Sequence, residues 1–194
     1  MKSLRPNQPH LIIVVGLPGS GKSFFAEKFA ETFNAPYINT EKVAQLAGCN
    51  DSQASTVVNY QLDELLKTNA SIIFEGETNA RTDRMALAKK ALGAGYKLLV
   101  VWVQTDPLTA KNRVTKPARN KTNRTLTEDE YDRIAKRFTT PNATEHPVVI
   151  SGKHTYATQV KIVLKKLSSE HEQAARTAII PERSTPRGRM INVQ

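Results

Sequence analysis

The residues best suited to chemistry lie in one stretch of the 194-residue chain, Gly16-Leu17-Pro18-Gly19-Ser20-Gly21-Lys22-Ser23-Phe24. Two glycines separated by four residues, followed by Lys and Ser, have the spacing of a phosphate-binding loop. Glycine lets the backbone turn tightly and bring its N–H groups close to an anion. In that pattern Lys22 reaches the β- and γ-phosphates of a nucleotide, and the Ser23 hydroxyl ligates Mg²⁺. Such a loop needs a strand behind it and a helix in front. Residues 11–15, LIIVV, are apolar and mostly β-branched, as in a buried parallel strand. From Lys22 the pattern turns helical, with Phe25, Phe29 and Phe33 on one face. The loop therefore feeds a helix N-terminus, where unpaired N–H groups and the helix dipole favour phosphate.

Two carboxylates follow other apolar runs. Glu75 ends the run 71–74, SIIF, a position suited to orienting a metal ion or its water. Glu41 follows a short strand at 36–39 and could accept the proton of an attacking hydroxyl. As a first-turn acid it could instead only complement the helix dipole. Arg113, Arg119 and Arg124 lie in or beside a polar segment read as a lid over about 117–126. Guanidinium groups match the charge spread over a transferring phosphoryl group. An arginine that arrives only on closure also limits wasteful hydrolysis. The four histidines show no metal-ligand spacing, and Trp102 is expected in the core.

The elements that must position these residues alternate. Strands are expected at 11–15, 36–39, 71–76, 96–103 and 147–150. The helices between them are capped by Thr40, Asp51, Thr82 or Asp83, Asp106 and Thr127, and a last one spans 155–167. Met85, Ala88 and Leu92 mark the helix after the third strand. Alternation of this kind implies a parallel sheet covered on both faces, with ligands at the carboxyl ends of the strands. Gly16, Glu41, Glu75 and Gln104-Thr105-Asp106 should then share one rim. The expected organisation is one domain over 1–167 and a flexible or loosely docked tail over 168–194, where Pro181, Pro186 and Gly188 break the pattern.

Composition narrows the classes. Hydrophobic residues are 39% and charged residues 24% of the chain, as in ordinary globular proteins. One cysteine excludes an internal disulfide framework. No run approaches the ~18 apolar residues of a membrane span, and residues 1–10 hold no apolar signal region; the cytoplasm is the expected location. The net charge of +10 indicates an anionic ligand, either nucleotide phosphates or nucleic acid. Aromatics are 6% and do not alternate with basic residues, so no surface for stacking single strands is indicated.

The phosphate loop, the segment Phe74-Glu75-Gly76-Glu77-Thr78-Asn79, and Asp106-Pro107 with Arg113 together resemble the polynucleotide-kinase-like P-loop kinases. The related zeta-toxin-type kinases belong to the same AAA-type P-loop NTPase superfamily. The segment Tyr131-Asp132 to Arg137-Phe138 and Pro141 is similar to the helix after that group's lid. The resemblance implies a three-layer α/β fold with a parallel sheet of order 2-3-1-4-5, ATP and Mg²⁺, and phosphoryl transfer to a hydroxyl. It implies that residues 16–24 and Arg113 hold the nucleotide, with Lys22 acting in transfer, that Ser23 and Glu75 hold the metal, that Glu41 is the base and that Asn79 matches the group's Asn. From the lid reading, Arg119 or Arg124 is expected to close over the transferring group, and the acceptor pocket is expected to include residues 37–43, Asn79, Arg81 and Arg84. Glu41 replaces the group's Asp, and Ala44 stands where its polynucleotide kinases carry a phosphate-holding Arg. The expected activity is phosphorylation of a small or nucleotide-like hydroxyl acceptor. The alternatives are a nucleotide-dependent switch with a protein partner and a nucleic-acid 5′-hydroxyl kinase.

Overall fold

A computed structural model describes residues 8–116 and 125–178. Five parallel strands form one sheet: β1 (His10–Val15), β2 (Tyr37–Asn39), β3 (Ile72–Glu75), β4 (Lys97–Gln104) and β5 (Val148–Ser151). Their spatial order is β2-β3-β1-β4-β5, the order the resemblance implies. The helices are α1 (Lys22–Phe33), α2 (Thr40–Ala47), α3 (Asp51–Leu65), α4 (Arg81–Gly93), α5 (Pro107–Thr115), α6 (Glu128–Arg137) and α7 (Tyr156–Ala178), with a 3₁₀ turn at Ala143–Glu145.

β1 is central, hydrogen-bonded to β3 and β4, and buried throughout. Its two-residue period divides the core. Ile12 and Val14 pack with Phe25, Phe29 and Phe33 of α1 and with Val163 and Leu167 of α7. The three phenylalanines stack along α1, with centroids 5.3 Å and 4.7 Å apart. Leu11, Ile13 and Val15 face the other layer, against Val58 and Leu62 of α3 and Leu87 and Ala91 of α4. Both sets are buried, so β1 is held between two helical layers, and a one-residue slip would exchange the sets between those layers.

Several boundaries differ from the sequence expectation. Asn39, not Thr40, caps α2, accepting from the Lys42 N–H at 2.8 Å. Asn50, not Asp51, caps α3, in a reciprocal box with Gln53. In both cases the asparagine stands one residue earlier, and its side chain reaches the third helical N–H. α4 starts at Arg81, and β4 and β5 each run one residue further along than expected. α7 continues past Leu167 to Ala178, since the chain has no Gly or Pro between 168 and 178 to stop it.

α4 shows the largest difference in packing. Met85 and Leu92 are exposed, and the helix turns Arg84, Leu87 and Ala91 inward. Arg84 is 1% exposed. Its guanidinium forks onto the Glu145 carboxylate, with Nε to Oε2 at 2.6 Å and Nη2 to Oε1 at 3.1 Å. Nη1 donates to the carbonyls of Thr78 and Asn79 at 3.0 and 3.2 Å. One buried cation thus ties α4, the 3₁₀ turn and the loop after β3 into a unit. The Arg84 hydrogen bonds hold the Glu145 carboxyl below its ordinary range, against the opposing effect of burial.

Removing one partner of a buried pair strands the other charge, which costs about 3–5 kcal/mol. Glu145→Ala should lower unfolding stability by about that amount at neutral pH. A carboxyl depressed in the folded state contributes stability above its unfolded pKa and loses it as pH falls through the folded value. Denaturant titrations across acid pH should therefore show the gap between wild type and variant narrowing as pH falls. A gap unchanged by pH would contradict the ion-pair origin.

Candidate active site

β1 ends at Val15, and the chain turns through residues 16–21 into α1. Gly19 and Gly21 adopt φ values of 78° and 101°, in the left-handed region that favours glycine. Gly21 is the cap residue of α1 and brings no side chain, and the first turn of the helix contains no acid. The orphan N–H groups of this helix start are therefore left to an external anion.

Neighbouring elements hold the loop in shape. Thr105 Oγ1 donates to the Ser20 carbonyl at 2.9 Å. The Gly152 N–H donates to the Gln104 carbonyl at 2.7 Å, joining the turns after β4 and β5. A Cβ on Gly152 would run into the Ser20 carbonyl, and one on Gly19 into the Ala110 carbonyl of α5. Gly16 lies against the Val103 carbonyl, where a Cβ would approach to 2.6 Å. Ser20 Oγ is buried with no hydrogen-bond partner among the described residues.

Lys22 curls back so that Nζ donates to the Leu17 carbonyl at 3.0 Å. Burial lowers its pKa, and the charges of Glu75 and Glu41 oppose that shift. The Ser23 hydroxyl donates to Glu75 Oε1 at 2.8 Å. The other carboxylate oxygen of Glu75 accepts from Tyr37 Oη at 2.7 Å and from Asn39 Nδ2 at 3.0 Å. Glu75 is buried, at the carboxyl end of β3 in register with Asn39.

A cavity of about 490 Å³ opens over this arrangement, lined among others by Pro18, Lys22, Ser23, Phe24, Glu41 and Asn79. Its cations among the described residues are Lys22 and Arg113, and its acids are Glu41, Asp51, Glu75 and Glu77. Arg113 Nη1 donates to the Gly19 carbonyl at 3.2 Å, so α5 meets the phosphate loop directly. Phe24 is exposed beside the Lys28 ammonium. The structure thus brings together the loop residues, Glu41, Glu75, Asn79 and Arg113. It does not bring Arg84: that side chain is buried under the Asn79 loop and its donors are taken by Glu145 and two carbonyls, so it cannot contact an acceptor. Arg119 and Arg124 lie outside the described residues, as does most of the expected lid. Trp102 is half-buried and lines a second cavity beside Leu17 and Ser20 instead of filling the core.

Four residues with structural roles at the site carried weak sequence signals. Gly152 and Thr105 each follow a strand end, which alone marks a rim position. Tyr37 and Asn39 face Glu75 through the parallel pairing of β2 with β3, which sequence does not display.

Among the described residues no group of three or more His, Cys, Asp or Glu could hold a metal ion by itself. The donor set fits Mg²⁺ arriving with a nucleotide: one hydroxyl, one carboxylate, and phosphate oxygens and water for the remainder. The orphaned Ser20 hydroxyl and the uncapped helix start fit the phosphates.

The AAA domain family profile matches residues 11–141. The chain belongs to the AAA domain family. No curated protein sequence matches it. Among solved structures it resembles a gluconokinase from Sinorhizobium meliloti 1021, with TM-score 0.65 and 18% identity over 88% of this chain and 98% of that one. A sugar kinase from Janibacter sp. matches with TM-score 0.60 and 14% identity, covering 83% and 95% of the two chains. A chain of the Pnkp1/Rnl/Hen1 RNA repair complex matches with TM-score 0.58 and 18% identity, over 67% of this chain and 44% of that one. At these identities the likeness establishes the P-loop kinase fold. No helix among the described residues is long and apolar enough to cross a membrane.

Gly152→Ala tests whether the β5 turn supports the loop. Forcing atoms into a filled space costs about 1–3 kcal/mol, and about 1.4 kcal/mol is tenfold in affinity. A fluorescent ATP analogue should bind the variant roughly tenfold more weakly, with the circular dichroism spectrum unchanged. Equal affinity would remove Gly152 from the site.

Proposed function

We propose that the protein is an ATP-dependent phosphotransferase acting on a hydroxyl of a small acceptor that carries no phosphate of its own near the reacting end. The observation that carries the acceptor reading is the direction in which the nearby cations point. Lys42, one residue after Glu41, pairs with Glu27 and lies over the Tyr37 ring, 5.6 Å from its centroid. Arg84 is buried on Glu145. Arg81 reaches Thr144 Oγ1 at 3.5 Å. Position 44, where a phosphate-holding arginine would stand in a polynucleotide kinase, is alanine. The acceptor end therefore presents Glu41, Asp51, Glu77 and Asn79, a lining that favours hydroxyl groups over phosphate.

In this reading the loop N–H groups and Lys22 hold the β- and γ-phosphates of ATP. Mg²⁺ held at Ser23 and Glu75 would neutralise charge on the phosphate oxygens. Glu41, at the first turn of α2 and on the same cavity as Lys22, takes the proton of the acceptor hydroxyl as the acceptor oxygen bonds to the γ-phosphorus, the bond to the β,γ-bridging oxygen breaks and ADP leaves. Arg113, and from the sequence Arg119 and Arg124, supply guanidinium groups to the transferring phosphoryl. A nucleic-acid 5′-hydroxyl acceptor is the second reading. It is favoured by the net charge of +10 and by the likeness to the RNA repair complex.

Transfer from γ-labelled ATP should be followed with three acceptors in parallel: water, a 5′-hydroxyl oligonucleotide, and a panel of sugars, nucleosides and small alcohols. Label should appear on a member of the small-molecule panel well above the water rate. Label on the oligonucleotide, with affinity falling steeply in salt, would favour the second reading. Free phosphate alone would indicate a nucleotide-dependent switch. Lys22→Ala should abolish transfer. Glu41→Gln should lower it by about 10²–10⁴-fold, the range for a general base, with nucleotide affinity near normal. Equal loss of both would remove Glu41 as the base.

A further inference from the structure

Tyr37 and Asn39 project from β2 onto one oxygen of Glu75. Asn39 Nδ2 donates to Glu75 Oε2 at 3.0 Å and to Tyr37 Oη at 2.8 Å, and Tyr37 Oη donates to the same carboxylate oxygen at 2.7 Å. The three groups form a closed ring of hydrogen bonds. Glu75 Oε1 is left to the Ser23 hydroxyl. Because Ser23 uses its proton on Glu75, the lone pairs of its oxygen remain for a cation. The amide of Asn39 is occupied at both ends, since its Oδ1 accepts the Lys42 N–H and caps α2. The helix that carries Glu41 is thereby joined to the carboxylate that faces the phosphate loop.

We propose that Tyr37 and Asn39 are positioning residues that fix the Glu75 carboxylate for a divalent cation, and that Asn39 links this cation site to the Glu41 helix. The proposal rests on the nucleotide-site reading above but not on the identity of the acceptor. A buried carboxylate needs all its donors, and outer-shell partners of a metal ligand typically contribute 10–100-fold to metal affinity.

Two substitutions separate positioning from folding. Tyr37→Phe keeps the ring and removes the donor. Asn39→Asp keeps an effective helix cap and replaces the Nδ2 donor with an oxygen that repels Glu75. The measurement is calorimetric binding of a non-hydrolysable ATP analogue, once with Mg²⁺ and once with EDTA. In the wild type, Mg²⁺ should strengthen binding. Tyr37→Phe should reduce that strengthening about tenfold, Asn39→Asp should reduce it further, and both should bind the analogue in EDTA as the wild type does. Thermal unfolding of each variant, read alongside, shows that the fold is kept. If both variants retain the full Mg²⁺ effect, or lose affinity equally with and without Mg²⁺, the positioning role is overturned and the nucleotide reading stands. If the wild type binds the analogue with no Mg²⁺ effect, the cation site itself is wrong and this proposal falls with it. If the wild type binds no analogue at all, the nucleotide reading fails as well.

Discussion

The site depends on one constraint: a helix N-terminus must be left uncapped at the edge of a buried sheet. Gly21 supplies no capping side chain, and no acid stands in the first turn of α1. That arrangement leaves N–H groups to be satisfied by an anion. Within the loop the Ser20 N–H and Lys22 Nζ both donate to the Leu17 carbonyl, at 3.1 and 3.0 Å, and further support comes from outside. Thr105 grips the Ser20 carbonyl, Gly152 packs on it, and Ala110 of α5 lies against Gly19. Each buttress sits at the carboxyl end of a strand or in the helix that follows. The sheet order, which sets β4 and then β5 beside β1, is what brings them there. The phenylalanine stack of α1 fixes the other end of the same helix against the core.

Charge is partitioned around this loop. Lys22 is half-buried, which disfavours its ammonium form, and Glu75 and Glu41 counter that penalty. The same two carboxylates stand where a metal and an acceptor proton would be handled, so one electrostatic arrangement serves the resting lysine and the proposed reaction. The chain's net charge of +10 does not describe the acceptor end of the cavity. Among the described residues there, arginine and lysine side chains are turned onto Glu145, Glu27 and Thr144. In the proposed reading, overall charge bears on the nucleotide's phosphates, while the placement of individual cations bears on the acceptor.

The layers of the fold were legible because their signals are periodic and local. An apolar β-branched run, a glycine-rich turn and phenylalanines spaced by four mark β1, the loop and α1 without outside information. Asp106-Pro107 and Thr127 through Glu130 marked their helix starts for the same reason. The errors arose where partners are distant in sequence. Arg84 is expected at the acceptor from sequence, but its partner Glu145 lies sixty-one positions away, and their pairing goes with a buried guanidinium. Met85 and Leu92 have the hydrophobicity of a core face, yet α4 turns so that Arg84 reaches that partner. The caps are a local exception: Asn39 and Asn50 each stand one residue before another good capping residue, and only geometry chooses between them. The Tyr37–Asn39–Glu75 ring depends on strand register, which no local pattern encodes.

The substitution of Glu for Asp at position 41 fits this geometry. Glu41 stands in the first turn of α2, whose start is pinned to Glu75 through Asn39. A longer side chain on a fixed helix start reaches further into the cavity without moving the backbone. In the proposed reading, its distance to an attacking oxygen would be set by an acceptor seated between Asp51, Glu77 and Asn79. Glu77 is itself held by the Ser55 hydroxyl of α3 at 2.7 Å. Acceptor choice in this reading is therefore governed by how α2 and α3 are set against the loop after β3.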